Sequence, residues 1–218
     1  HLSYKSVLSI LPYIFAPMVY QEVVIKNSRI ATIQRKHPWI FSGGIVSHSD
    51  CVDGDIVEVF SRKGDFLAMG YFQDASIMVR ILSFEKETID EGFWRKQITK
   101  AIALRESLHL PSQQTNVYRL IHGEGDGLPG LVIDIYDKVA VIQCHTVGMH
   151  QFRQAIADAL ISLLKESIDT IYVKSGNTLP KDYAVNHPDE YLIGAREEIE
   201  IIENDSRFII DIINGQKT

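Results

Sequence analysis

Four short apolar runs lie between residues 23 and 82, cut apart by turn signals, and a chain so patterned is driven toward a small, curled β-sheet. Val23-Val-Ile25 is β-branched throughout. Asp55-Ile-Val-Glu-Val-Phe60 alternates, and residues 66–71 and 77–82 supply two more strand-like runs. Asp53-Gly54 and Lys63-Gly64 place turns on either side of the second run. Strands this short at this spacing predict a small β-barrel. Residues 26–36, between the first two runs, are polar and basic, and His37-Pro38-Trp39-Ile40-Phe41-Ser42-Gly43-Gly44 follows them.

The period changes after residue 85. Thr88-Ile-Asp-Glu91 fits a capping box, and Trp94, Ile98, Ile102 and then Leu104 and Leu108 recur at helical spacing. Residues 111–115 form a polar break, and a second unit is expected to begin near Tyr118. Its order reads strand, glycine-rich loop, hairpin, helix, strand. Residues 131–136 and 139–144 flank the turn Asp137-Lys138, and Phe152, Ile156, Leu160 and Leu163 share a helix face. Residues 170–173 form a strand, and 199–202 with 208–212 form a closing antiparallel pair. The expected fold class is α+β, a small barrel followed by an α/β domain, with the boundary between Ser83 and Tyr118. The polar phrase Gly215-Gln-Lys-Thr218, directly after a strand, reads as a cut end.

A net charge of −6 argues against a protein that coats nucleic acid by bulk electrostatics, but leaves room for a local basic face. Residues 23–85 carry seven Lys and Arg against seven Asp and Glu, whereas from 186 to 211 the acids lead eight to two. The excess negative charge therefore sits late in the chain. Two cysteines, Cys51 and Cys144, make neither a disulfide framework nor a CxxC metal pattern, so a reducing, cytoplasmic setting is expected. No apolar run approaches the roughly 18–20 residues of a membrane span. Residues 7–16 faintly resemble a secretion signal after Lys5, but Pro12 breaks them and Phe15-Ala16-Pro17 is a poor cleavage site. Met18 is read as the natural start, with 1–17 an upstream extension.

Gly125-Asp-Gly127-Leu-Pro-Gly130 satisfies GxGxxG, yet Pro129 and Leu131-Val-Ile-Asp-Ile135 make the next element a strand, so the loop reads as a structural turn. Gly215-Gln-Lys-Thr218 fails as a P-loop, because Gly and Lys are not adjacent and Ile210 stands where another Gly is needed. Cys144-His145 reads as a buried thiol ending a strand rather than a nucleophile with its base. The remaining histidines show no ligand spacing, and no metal is expected. Glu124, Asp126 and Asp134 could form an acidic cluster, but turn formation explains the first two. The basic phrase Arg29, Arg35, Lys36 and His37, followed by Trp39 and Phe41, has two equal readings. Its cations meet phosphates while its aromatics stack on unpaired bases, or it is a solvated helix face with the aromatics in the core.

Arg35-Lys-His-Pro-Trp-Ile-Phe-Ser-Gly43, Tyr118-Arg-Leu-Ile-His-Gly-Glu-Gly-Asp-Gly-Leu-Pro-Gly-Leu-Val-Ile-Asp134 and Gly215-Gln-Lys-Thr218 stand in an order and spacing that resemble a known family. These are the bacterial class I large-subunit rRNA methyltransferases of the RlmI type, cytosine C5 methyltransferases that use S-adenosylmethionine. The resemblance runs from about Met18 to the last residue. It implies an RNA-binding PUA barrel over 18–90, a central linking α/β domain over 91–205, and the opening of a Rossmann-like methyltransferase domain over 206–218. Phe208, Asp211, Gly215, Gln216, Lys217 and Thr218 match that opening. The resemblance places the cofactor loop and the nucleophilic cysteine downstream of Thr218. No catalytic, cofactor-binding or metal-binding residue is therefore expected in this chain, and rRNA is its expected partner, through Arg29, Arg35, Lys36 and His37. The rival reading is a stand-alone PUA-type RNA-binding adaptor without catalysis.

Overall fold

The computed structural model describes residues 20–215. The readings of Met18, of residues 1–17 and of Gln216, Lys217 and Thr218 lie outside the described residues.

The first sheet is built from β1 (Gln21–Ile25), β2 (Trp39–Phe41), β3 (Ile45–His48), β4 (Ile56–Phe60), β5 (Phe66–Phe72) and β6 (Ile77–Ser83), with helix α1 (Asn27–Gln34) between β1 and β2. Its strand order is β2-β6-β5-β4-β1-β3, with β1 and β4 parallel and the other pairs antiparallel. The two edge strands, β2 and β3, are neighbours in the chain, joined only by the turn Ser42–Gly44. Laid flat, six strands would separate those edges by roughly 24 Å. The connecting backbone spans at most about 15 Å. The sheet must therefore curl into a barrel. Val23, Ile25, Ile33, Ile40, Val57, Val59, Ala68, Phe72, Val79 and Ile81 fill it. Helix α1 has no side-chain cap and no strong apolar face, so the burial of Ile33 against the barrel holds it in place.

Helix α2 (Glu91–Ser107) starts near Asp90 as the sequence leads one to expect, but differs in its capping residue and in its last apolar positions. Its N-cap is Asp90, which accepts the Phe93 N–H at 3.1 Å, rather than Thr88. Ile89 is buried and its N–H goes to the Tyr20 hydroxyl, so the helix starts after it. Leu104 and Leu108 face solvent, because the buried stripe runs through Trp94, Ile98 and Ala101 to Arg105.

The second sheet has the order β11-β10-β9-β8-β7, where β7 is Val117–His122, β8 Leu131–Tyr136, β9 Val139–Cys144, β10 Thr170–Val173 and β11 Glu190–Ile193. Helices α3 (Val147–Gln151) and α4 (Arg153–Leu164) make the crossover between the parallel strands β9 and β10. The one-turn helix α5 (Lys181–Ala184) precedes β11. The hairpin of β12 (Glu198–Glu203) and β13 (Ser206–Asp211) covers the other face. Strand β9 shows the layering. Ala140, Ile142 and Cys144 join the helix-side core, while Val139 and Val141 pack on Ile199, Ile201 and Ile212. A strand buried on both faces reads as an unbroken apolar run, which Val139-Ala-Val-Ile142 is.

The barrel is not merely tethered to this layer. Met69, Tyr71 and Leu82 of β5 and β6 belong to the same buried cluster as Trp94, Ile98, Leu131 and Met149. Tyr71 is fully buried, and its hydroxyl donates to the Pro129 carbonyl at 2.7 Å.

Deeper in the second unit, His150 is 1% exposed and its Nε2 has no hydrogen-bond partner among the described residues, while Nδ1 lies 3.2 Å from the Tyr183 hydroxyl. Burial, with Arg153 and His187 nearby, pushes its pKa down to about 4, although Glu190 and Asp189 pull the other way. The unfolded chain takes up this proton near pH 6.5 and the folded one does not, so stability is whole above that value. It should fall by about 3 kcal/mol as pH drops from 6.5 toward 4. Urea unfolding at several pH values should show this slope, and H150F should flatten it. An unchanged slope in the variant would assign the acid sensitivity to other groups.

Candidate nucleic-acid interface

Helix α1 and strand β2 present the basic phrase. Arg29, Arg35, Lys36 and His37 are all exposed, and none of the four makes an ion pair among the described residues. They do not act as one cluster. Arg29 and His37 line a recess of about 210 Å³ with Trp39 and Phe41. Lys36 closes α1 with a left-handed backbone (φ 63°), which carries its ammonium over the Phe84 ring at 4.4 Å. Arg35, the residue at which the helix ends, lies outside that recess. The strand alternation settles the aromatics. Ile40 points into the barrel, Phe41 is 46% exposed and Trp39 is half-buried, so neither aromatic belongs to the core.

Trp39 also faces a second and larger cleft, of about 500 Å³, between the barrel and the second sheet. There its indole N–H donates to Glu124 Oε1 at 2.9 Å, joining residues 85 positions apart. The cleft is walled by Trp39 and Arg80 from the barrel, and by His122, Glu124 and His145 from the other side. The two long phrases noted in the sequence thus meet in space. Arg80 sits in an otherwise apolar strand and is steadied by the Gln73 side chain and the Ile77 carbonyl. Partial desolvation at the cleft wall lowers the pKa of His145, although its surface remains exposed. The floor requires glycine at 130. Its φ is +80°, and a Cβ there would lie 2.9 Å from the Tyr71 hydroxyl and 3.0 Å from Thr146.

The acids of the glycine-rich phrase do more than form a turn. Asp126 holds Arg105 through two bonds of 2.5 and 2.8 Å and also accepts the His122 N–H at 2.6 Å. Burial raises its pKa, but Arg105 and that N–H outweigh this and hold it below the ordinary value. Asp134 pairs with Arg119 at 2.8 and 2.9 Å. Sequence reasoning noted these acids without their arginines, and it passed over Arg80, His122 and His145 as site residues. The available signals were a lone Arg in an apolar strand and a His inside the long phrase.

The described residues do not fit S-adenosylmethionine. The Gly125–Gly130 loop runs into strand β8 instead of a helix, and Asp126 and Asp134 are committed to arginines. Neither cysteine is poised as a nucleophile. Burial pushes the Cys144 thiol up to about 12, and burial with Asp55 and Asp50 raises that of Cys51. No group of three His, Cys, Asp or Glu suited to a metal occurs among the described residues, and no helix there is long and apolar enough to cross a membrane.

Residues 23–84 match the family model of a PUA-like domain. Ribosomal RNA large subunit methyltransferase I of Alteromonas mediterranea is 35% identical over 201 residues, covering 90% of this chain and 50% of that protein. The protein of the same name from Vibrio campbellii is 34% identical over 200 residues, with the same coverage. The chain spans about half the length of these curated relatives. Among solved structures, one from Streptococcus mutans, assigned as a SAM-dependent methyltransferase, superposes with a TM-score of 0.71 at 19% identity, over 87% of this chain and 48% of that one. Another, SMU.776, assigned as a methyltransferase and complexed with SAH, gives 0.72 at 18% identity, over 87% and 47%. At such identities these two show the fold alone. Over nine-tenths of its length, then, this chain is similar to proteins named ribosomal RNA large subunit methyltransferase I, and its residues 23–84 match a PUA-like domain.

Proposed function

We propose that this chain is the RNA-recognising portion of a SAM-dependent methyltransferase of large-subunit rRNA that modifies cytosine C5 in the cytoplasm. In this reading residues 18–90 hold the RNA-binding barrel, 91–205 link it to the catalyst, and 206–218 open the methyltransferase domain. Cytosine C5 is a weak nucleophile, and a thiolate adding at C6 is the general way to activate it. Cys51 and Cys144 are raised thiols unsuited to that role, so the reading leaves to this chain the binding and positioning of RNA. The observation that carries it is the meeting of the two family-like phrases at Trp39 and Glu124, beside exposed Arg29, Arg35, Lys36 and His37.

Each Lys or Arg that neutralises a phosphate releases counterions, so affinity falls as salt rises. The triple reversal R29E/R35E/K36E should weaken binding to an rRNA fragment by about tenfold or more and flatten the salt slope by about two to three. Its melting temperature should stay within a few degrees, because exposed charges add little to stability. A salt titration of wild type against the variant measures both. Equal affinities and slopes would remove the basic phrase from the RNA contact.

A further inference from the structure

We propose that the cleft between the barrel and the second sheet is a binding site for one unpaired nucleotide of an RNA strand. Trp39 serves as its stacking platform, and Arg80, His122 and His145 as its phosphate-facing wall. This rests on the RNA-binding reading above and names the form of RNA the site takes.

The dimensions select the ligand. A cleft of about 500 Å³ accommodates a single nucleotide, within the roughly 300–1,000 Å³ of small-ligand sites, and is far too small for a duplex. A base stacks on a side chain only when it has left its own helix, so an aromatic wall favours unpaired RNA. The platform is fixed before any ligand arrives. Trp39 donates its N–H to Glu124 Oε1 at 2.9 Å and meets the rings of His37 and Phe41 edge-on, at centroid distances of 6.0 and 6.3 Å. A tethered indole loses little freedom on stacking. Charge orients the guest. The Glu124 carboxylate repels a phosphate from the Trp39 end, which leaves the Arg80 guanidinium to meet its charge while the two imidazoles offer ring N–H donors. Arg80 is itself held by Gln73 and Ile77, so its charge is presented from a set position. Trp39 also lines the recess that holds Arg29 and His37, so the two cavities share that wall. The site needs both units, since Trp39 and Arg80 come from the barrel and His122 and His145 from the second sheet.

The test uses intrinsic fluorescence of the whole chain. Of its two tryptophans, Trp94 is 1% exposed and Trp39 is half-buried at the cleft, so quenching by a base reports Trp39. A single-stranded RNA octamer of mixed sequence should quench it, and a blunt duplex of the same sequence should not. W39F should abolish the quench and weaken octamer binding at least about fivefold. H122A/H145A, at two exposed positions, should also weaken binding about fivefold or more by removing two hydrogen-bond donors, while the circular-dichroism melt stays unchanged. Octamer binding that leaves Trp39 fluorescence unaltered and survives both variants, yet falls in R29E/R35E/K36E, would overturn the cleft site and keep the RNA-binding reading. Failure of wild type to bind either RNA would overturn both.

Discussion

D126A is expected to lower the free energy of unfolding by about 3–5 kcal/mol. Asp126 and Arg105 are both nearly buried, with side-chain exposures of 6% and 11%. The guanidinium is also tied to the Arg119 carbonyl at 2.9 Å, so it cannot swing out to water when its partner is removed. The variant leaves a buried charge unpaired and a His122 N–H without its acceptor. Adding R105L should restore part of the loss, because burying neither partner costs less than burying one. Urea denaturation of the two variants measures this. A loss below about 1 kcal/mol for D126A would mean the pair is solvated in solution. The exposed Arg207–Glu200 pair provides the contrast, and its removal should be worth less than about 1 kcal/mol.

G148A is expected to cost about 3 kcal/mol and to loosen the barrel from the second sheet. A Cβ on Gly148 would stand 2.4 Å from Tyr71 Cδ2 and 2.9 Å from its Cγ. The ring has nowhere to go. It is fully buried, and its hydroxyl is fixed by Pro129 and Thr146. Y71F keeps the ring but leaves the Pro129 carbonyl without its donor, and should cost less, about 1–2 kcal/mol. Because Met69, Tyr71 and Leu82 share a core with Trp94 and Met149, both variants should melt in one transition at lower temperature. A G148A melt equal to wild type would show that the joint relaxes without penalty.

Some of this architecture was open to sequence reasoning and some was not, for identifiable reasons. Strands β4, β5, β6, β8, β9, β10, β12 and β13 were legible because alternation or an unbroken β-branched run marks each one. Strands β2 and β3 were not, since each has at most four residues and Gly43 and Gly44 intervene. Helix α1 left no periodic trace because only Ile33 of its eight residues is buried. In α2 the leucines misled. Periodicity scores Leu104 and Leu108 as apolar, whereas the buried position belongs to Arg105, whose partner Asp126 lies 21 residues away. The basic phrase was visible as composition, yet its separation into a Trp39-lined recess and a Lys36–Phe84 contact depends on where α1 ends. The cleft was hidden for the same reason as the Arg105 pair. Arg80 and Trp39 reach His122 and His145 only when the barrel docks on the second sheet, and no local pattern encodes that docking.

The most direct test of the central claim, that this chain recognises RNA, is ultraviolet cross-linking of the intact protein to large-subunit rRNA fragments, followed by mass-spectrometric mapping of the adducts. The account predicts adducts on Arg29, Lys36 and His37, on Trp39, and on the cleft-lining residues His122 and His145, with few on the acidic hairpin Glu198–Glu203 and Ser206–Asp211. Adducts confined to that hairpin, or none above the level given by an unrelated acidic protein, would contradict it.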